Sequence, residues 1–217
     1  MKGDLHVHSD HSGDGHQSVE DIVRLCKERG MGVVTITDHN TLEGCKTAKV
    51  DGLIFLQGLE VTSAGGHILA YLVSEPVPRD RSVEETIDLI HGQGGIAVAP
   101  HPYRWWSGLK EGNVRGKRFD ALETLNGRSL RGSNERAARL AQEMGVGVIG
   151  GSDAHVIDHL GRAYTEFPDD CQSPEDLVKA IKDRRTTVGG NSRSVTESFS
   201  YGTRSIGRWT RRGFKRL

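Results

Sequence analysis

The stretch Asp4-Leu5-His6-Val7-His8 places two histidines two residues apart near the start of the chain. Side chains alternate between the faces of a β-strand, so His6 and His8 point to the same side if this stretch is a strand. Two imidazoles on one side can bind the same metal ion. Leu5 and Val7 have the opposite parity, which is typical of a strand with one face in a hydrophobic core. The stretch therefore predicts part of a metal site, provided that further ligands join it.

The rest of the chain alternates between strand and helix patterns. Strands are predicted at residues 4–8, 32–37, 53–56, 68–73, 95–100, 120–125, 146–149, 163–167 and 186–188. Helices are predicted at residues 18–30, 41–50, 82–93, 135–144 and from 173 onward, and Ser18, Ser82 and Ser173 are their expected N-caps or openings. Such alternation indicates a parallel α/β barrel or an open doubly wound sheet. No glycine-rich phosphate loop follows a strand, so the nucleotide-binding versions of these folds lack support.

Polar side chains collect where the predicted strands end, which favours the barrel, because α/β barrels carry their chemistry at that end. Six of the ten histidines lie at or just after strands. Together with three carboxylates they form the candidate ligand set His6, His8, Asp14, His39, Glu60, His67, His101, Asp153 and His155. Nine such groups at one barrel mouth need cations to compensate them, and zinc, manganese or iron suits mixed nitrogen and oxygen ligands. Glu60 is a carboxylate that can bridge two ions.

The composition predicts one domain with an unusual distribution of charge. The 217 residues carry equal numbers of acidic and basic side chains, yet residues 203–217 hold six basic residues and no acid, which leaves 23 basic against 29 acidic residues in 1–202. The three cysteines are widely spaced, so neither a disulfide framework nor a thiolate zinc site is indicated. Without a leader-like start or a long apolar run, no transmembrane segment is predicted, and we expect a soluble cytoplasmic protein.

The basic tail has an amphipathic helical pattern. Its apolar residues Ile206, Trp209, Phe214 and Leu217 fall on one side of a helix and its basic residues on the other. Three uses are consistent with this pattern: docking on the barrel, contact with an anionic membrane surface, and contact with a nucleic-acid backbone.

Five motifs in combination resemble the PHP (polymerase and histidinol phosphatase) family. They are Asp4-x-His6-x-His8, Thr37-Asp38-His39, Gly58-Leu59-Glu60, Pro100-His101-Pro102 and Gly151-Ser152-Asp153-Ala154-His155. The resemblance implies a metal-dependent phosphoesterase on a distorted (β/α)7 barrel with a short C-terminal extension. On this basis residues 1–190 are expected to form the PHP domain with its post-barrel segment, and residues 191–217 the basic tail.

The resemblance also implies a trinuclear metal centre. One ion would be held by His6, His8, Glu60 and Asp153, a second by Glu60, His67 and His101, and a third by Asp14, His39 and His155. Because the loop before Asp14 is one residue longer than the usual pattern, His11 and Asp10 are alternatives to Asp14. Asp38 is expected to orient an imidazole rather than to bind metal.

The implied reaction is hydrolysis of phosphoester bonds in nucleotides or short 5′-phosphorylated oligonucleotides, a nuclease-like activity, through a metal-bridging hydroxide. Glu60 and Asp153 would act as catalytic ligands. Arg104 and Arg162 are candidates for a phosphate clamp, because guanidinium groups bind phosphate in a bidentate manner. Two alternatives remain: a sugar or histidinol-type phosphatase, and a non-catalytic, metal-stabilised module that binds nucleic acid.

Overall fold

The computed structural model describes residues 1–194 and residue 197, and it contains nine strands and five α-helices in this part of the chain. The strands are β1 (Lys2–Asp4), β2 (Val33–Ile36), β3 (Ile54–Ser63), β4 (Gly66–Tyr71), β5 (Ile96–Ala99), β6 (Ala121–Asn126), β7 (Gly147–Gly151), β8 (Ala163–Glu166) and β9 (Thr187–Gly190). The helices are α1 (Val19–Glu28), α2 (Glu43–Thr47), α3 (Val83–Gly92), α4 (Arg131–Met144) and α5 (Pro174–Lys182). None of the described helices has the length and apolar character needed to cross a membrane. The predicted tail helix at 203–217 lies outside the described residues.

The three predicted serine caps begin helices as expected. The Ser18 hydroxyl accepts a hydrogen bond from the backbone N–H of Asp21 at 3.1 Å and so begins α1. Ser82 and Ser173 do the same for α3 and α5, each in a reciprocal capping box. These caps satisfy N–H groups that have no partner within the helix, which is why a short local pattern predicted the helix starts.

The sheet has the strand order β7-β6-β5-β4-β3-β2-β1-β8-β9. Neighbouring strands are parallel from β1 to β3 and from β5 to β7. β4 lies between these two groups and runs antiparallel to both of its neighbours. The expectation that all strands run parallel is therefore wrong at β4, and also at β8, which runs antiparallel to β1 and β9. Only residues 64 and 65 separate β3 from β4, and so short a connection joins antiparallel strands, whereas a parallel crossover needs a dozen residues or more.

β1 and β7 lie far apart in the strand order, yet the chain segments that follow them are hydrogen-bonded to each other. Val7 pairs with Ala154 in an isolated parallel bridge. The backbone N–H of His8 donates to the Ala154 carbonyl at 2.9 Å, and the N–H of Asp153 donates to the His6 carbonyl at 2.7 Å. These bonds bring the sheet to a nearly closed barrel, so the predicted α/β barrel is confirmed.

The limits of two strands differ most from those predicted. β1 ends at Asp4, so His6 and His8 follow the strand instead of lying within it. The Val7 N–H donates to the Thr37 hydroxyl at 3.0 Å, which is a side-chain acceptor in place of the backbone carbonyl that regular strand pairing would use. β3, by contrast, continues to Ser63 because it pairs with β4, and Glu60 therefore lies inside a strand.

Asp4 fastens the end of β1 to the loops after β7. Its fully buried carboxylate accepts hydrogen bonds from the backbone N–H groups of Ser152 at 2.8 Å, His6 at 3.3 Å and Gly161 at 2.7 Å. Burial raises the pKa of Asp4 to about 6, although these hydrogen bonds favour the ionised form. Asp4 thus fixes the backbone from which His6 and His8 project.

Candidate metal centre

The nine predicted ligands come from seven different parts of the barrel. His6 and His8 follow β1, Asp14 lies in the loop before α1, His39 follows β2, Glu60 lies in β3, His67 begins β4, His101 follows β5, and Asp153 and His155 follow β7. His67 reaches the same mouth from the start of its strand, because β4 runs in the opposite direction. Each of the nine side chains lies within 4.0 Å of at least one other member.

Glu60 is the centre of the cluster and is 1% exposed. Its carboxylate oxygens lie 2.8 to 3.3 Å from ring nitrogens of five histidines, namely His6, His8, His39, His67 and His101. Burial by itself would raise the pKa of Glu60, but the surrounding imidazoles outweigh burial and hold that pKa well below its usual range. Glu60 is therefore an ionised carboxylate shared by five imidazoles.

A second group forms at the edge of the mouth around Asp14. The Oδ2 atom of Asp14 lies 2.9 Å from His155 Nε2 and 3.7 Å from His39 Nε2. Partial burial by itself would raise the pKa of Asp14, but the hydrogen bond from His155 and the nearby His39 ring outweigh burial and lower that pKa. Of the alternatives at this position, His11 is exposed and its ring lies 3.4 Å from the Thr47 hydroxyl, and Asp10 is exposed as well. The structure thus brings Asp14, rather than His11 or Asp10, to the cluster.

Asp153 lies beside Glu60 and is 1% exposed. Its Oδ1 atom is 3.7 Å from His8 Nε2 and 3.9 Å from His6 Nε2. The side chains of Arg104 and Arg128 both form ion pairs with this carboxylate. Burial opposes ionisation, but the two guanidinium groups and the nearby imidazoles hold the pKa of Asp153 well below its usual range.

Gly151, two residues before Asp153, lies where no larger residue fits. A Cβ atom on Gly151 would lie 2.4 Å from the Cβ atom of His6, which is closer than two such atoms approach in proteins. Asp153 itself has a left-handed backbone with φ of 56°, and His101 has φ of 29°. Non-glycine residues adopt positive φ at a cost in free energy, which is common where side chains are held for function.

Glu123 is a functional candidate that the sequence analysis did not single out. It is fully buried in β6, and its Oε1 atom lies 3.0 Å from His6 Nδ1. Its Oε2 atom accepts hydrogen bonds from the His101 backbone N–H at 2.8 Å and from the Asn126 side-chain amide at 3.0 Å. Glu123 thus contacts two of the predicted ligands, His6 through its ring and His101 through its backbone. The signal in the sequence that could have identified it is a charged residue between Leu122 and Leu125 of a predicted strand, since charged side chains are rarely buried without a partner.

Two further contacts support the ligands. The Ser12 hydroxyl lies 3.2 Å from His8 Nδ1 and accepts the His39 backbone N–H at 2.8 Å. Asp38 was expected to orient an imidazole, but its carboxylate instead accepts hydrogen bonds from the Ser9 backbone N–H and hydroxyl, both at 2.6 Å. Asp38 therefore holds the loop that carries Ser12, rather than a histidine ring.

The three arginines near the mouth differ in their contacts. Arg104 donates to Asn126 Oδ1 at 2.8 Å in addition to its ion pair with Asp153. Arg128, which was not predicted, lies 3.1 Å from Asp153 Oδ1 and 2.7 Å from His155 Nδ1. Arg162 donates instead to the Ser192 carbonyl at 3.2 Å and to Glu197 at 2.7 Å. Among its described contacts, none is with the ligand cluster.

The donor set fits divalent metal ions. Four groups of three or four side chains each have ligand atoms within 4.8 Å of one another, and they are His8/Asp14/His39/His155, His6/His8/Glu60, His6/His101/Asp153 and His39/Glu60/His67. Within the described residues, His6 Nε2, His8 Nε2 and His39 Nδ1 are buried and make no hydrogen bond, although Glu60 Oε2 lies 3.2 to 3.3 Å from each of them. Buried polar atoms without hydrogen bonds are rare, and ring nitrogens that converge on a carboxylate are typical of metal ligands.

Comparison with known protein sequences gives matches over parts of this chain. A family model described as PHP-associated matches residues 131–186. An uncharacterised protein of Methanocaldococcus jannaschii is 41% identical over 117 residues, which cover 48% of this chain and 68% of that protein.

Two solved structures share the fold. One is a two-domain protein of Bacteroides vulgatus that contains a predicted PHP-like metal-dependent phosphoesterase, with a TM-score of 0.68, 20% identity and coverage of 88% of this chain and 65% of that one. The other is the lesion-specific endonuclease Q of Pyrococcus furiosus, with a TM-score of 0.68, 20% identity and coverage of 84% and 56%. The chain thus spans less than two thirds of each of these two proteins. With its barrel, its converging histidines and these matches, the chain belongs to the PHP family.

Proposed function

We propose that the chain is a metal-dependent phosphoesterase that acts on nucleotides or short 5′-phosphorylated oligonucleotides. The observation that carries this proposal is the buried Glu60 carboxylate within 3.3 Å of five imidazoles, with Asp153 and two arginines beside it. Such a site combines ligands for divalent cations with guanidinium groups that can bind phosphate. Fold likeness to a lesion-specific endonuclease is consistent with a nucleic-acid substrate.

Three ions are proposed, with zinc, manganese and iron as candidate metals. One would be held by His6, His8, Glu60 and Asp153, the second by Glu60, His67 and His101, and the third by Asp14, His39 and His155. Of the groups of converging ligand atoms, one lies within the first set and one contains the third, and these two support the proposal, whereas the other two combine members of different sets. When bound, such ions lower the pKa of a water ligand and neutralise charge on phosphate oxygens.

The chain's own residues supply binding and orientation. Arg104 and Arg128 form ion pairs with the Asp153 carboxylate. From this position their guanidinium groups can donate hydrogen bonds to the oxygens of a bound phosphate. The Glu123 carboxylate contacts Nδ1 of His6, so that Nε2 of this ring faces Glu60. Ser12 contacts Nδ1 of His8 in the same way. With the rings held in this manner, the nitrogens that face the mouth remain available as ligands.

A substrate panel with the manganese-loaded protein tests this function. The panel contains 5′-phosphorylated oligonucleotides, nucleoside bisphosphates, nucleoside monophosphates, ribose 5-phosphate and histidinol phosphate, and metal content is measured on the same sample. We expect release of phosphate or mononucleotides that stops when a chelator removes the metal. Preference for ribose 5-phosphate or histidinol phosphate would favour the sugar or histidinol-type phosphatase. Absence of turnover despite bound metal would contradict the phosphoesterase and favour the non-catalytic module.

Replacing Arg128 with alanine is expected to raise KM for phosphate esters by about 10-fold to 100-fold, because a hydrogen bond to a charged group contributes about 1.5 to 3 kcal/mol. Steady-state kinetics on the best substrate of the panel measures this change. Arg162→Ala is expected to have a smaller effect, since Arg162 contacts Glu197 and Ser192. Arg118, an exposed residue that pairs with Asp88, provides the matched control Arg118→Ala. Equal KM values for the Arg128 variant and this control would contradict phosphate binding by Arg128.

A further inference from the structure

Two adjacent tryptophans stand out on the surface of the described part of the chain. Trp105 is 85% exposed and Trp106 is 69% exposed, whereas the next most exposed large apolar residue described, Leu130, is 43% exposed. Burying an aromatic side chain is strongly favourable, so two neighbouring exposed indoles indicate a surface that takes up a ligand. We call residues 102–110, which carry them, the tryptophan loop.

The tryptophan loop is held by hydrogen bonds at several points. The backbone N–H of Arg104 donates to the His101 carbonyl at 2.9 Å, and that of Lys110 donates to the Pro102 carbonyl at 2.9 Å. The Lys110 ammonium donates to the carbonyls of Arg104 and Trp105, the latter at 2.7 Å. The indoles therefore project from a fixed backbone, and a ligand that stacks on them does not have to order the loop first.

The same loop forms a wall of the metal centre. It begins directly after the ligand His101, and its residue Arg104 forms the ion pair with Asp153. On its other side, the Ser107 carbonyl accepts a hydrogen bond from the backbone N–H of the ligand His67 at 3.0 Å. Trp105 is the immediate neighbour of Arg104, and consecutive Cα atoms are about 3.8 Å apart.

We propose that Trp105 and Trp106 form a stacking platform for the base of a nucleotide whose phosphate is bound at the metal centre. Arg104, whose guanidinium pairs with Asp153, directly precedes Trp105 in the chain, so a ligand with a phosphate group and an aromatic base can contact the guanidinium with one part and the indoles with the other. Stacking on an indole is open to every base, because each base has a π-face. This proposal rests on the proposed phosphoesterase function and specifies its substrate class: nucleotides rather than phosphate esters without a base.

Tryptophan emission tests the platform separately from turnover. Trp105 and Trp106 are two of the three tryptophans in the chain, so the metal-loaded Trp209→Phe variant reports on them alone. We expect adenosine 5′-monophosphate to quench this emission and ribose 5-phosphate, which has no base, to leave it unchanged. Equal responses to the two compounds would overturn the platform. Quenching by the nucleotide without any hydrolysis would support the platform and contradict the phosphoesterase.

Kinetics of the variants complete the test. We expect Trp105→Ala or Trp106→Ala to raise KM for the nucleotide by about 5-fold to 150-fold, the factor that corresponds to one base–aromatic stack. Their KM for ribose 5-phosphate should change less than twofold, and Trp→Phe at each position should restore most of the nucleotide affinity. Leu89→Ala, at an exposed apolar residue of α3, is the matched control. Unchanged nucleotide KM in both alanine variants would overturn the proposal. If these variants also have a smaller apparent mass than the wild type in size-exclusion chromatography, the indoles instead contact a second copy of the chain.

Discussion

Glu60→Gln is expected to reduce phosphoester hydrolysis by at least about 10³-fold and to lower the number of divalent ions bound per chain. Glutamine has nearly the same shape as glutamate, but it lacks the negative charge and has, in place of one oxygen, an NH2 group that only donates hydrogen bonds. Five imidazoles lie within 3.3 Å of this carboxylate, so the amide would face ring nitrogens in every orientation. Metal analysis and steady-state kinetics on one protein sample measure both effects.

The matched control is Glu28→Gln, at a half-exposed glutamate of α1 that pairs with Arg24. This variant should keep wild-type metal content and kcat. Circular dichroism shows whether the Glu60 variant retains the barrel. A folded Glu60→Gln protein with full metal content and full activity would exclude Glu60 as the shared ligand.

Glu123→Ala is expected to lower metal affinity or activity by about 10-fold to 100-fold, the usual effect of removing a group that orients a metal ligand. The His6 ring would lose the carboxylate on Nδ1, and the His101 backbone N–H would lose its acceptor. Both proposed ligands would then be less well held. Metal titration, monitored together with kcat, measures this loss.

Glu123→Gln separates orientation from stability. The amide oxygen of glutamine can still accept one hydrogen bond, so we expect this variant to recover part of the metal affinity that alanine loses. Thermal unfolding of both variants without metal gives the purely structural effect. If Glu123→Ala binds metal as tightly as the wild type, then Glu123 does not orient His6.

Local patterns in the chain specified much of this protein. The serine caps at Ser18, Ser82 and Ser173 and the apolar β-branched runs predicted helices and strands, because caps and side-chain periodicity depend on neighbours within a few residues. All nine predicted ligands lie together at one mouth for a related reason. Most of them were identified as polar residues near the ends of predicted strands, and the barrel brings the ends of its parallel strands together.

Other features depended on contacts between distant parts of the chain. Glu123 is 117 residues from His6, and Arg128 lies 27 residues before the His155 ring that it contacts, so no local pattern assigned their roles. The reversal of β4 and the path of the loop that selects Asp14 over His11 likewise depend on tertiary packing. The residues of a metal site can thus be identified from the sequence, since only certain side chains bind metal. The groups that orient them are not, because orientation arises when closure of the barrel brings separate strands within hydrogen-bond distance.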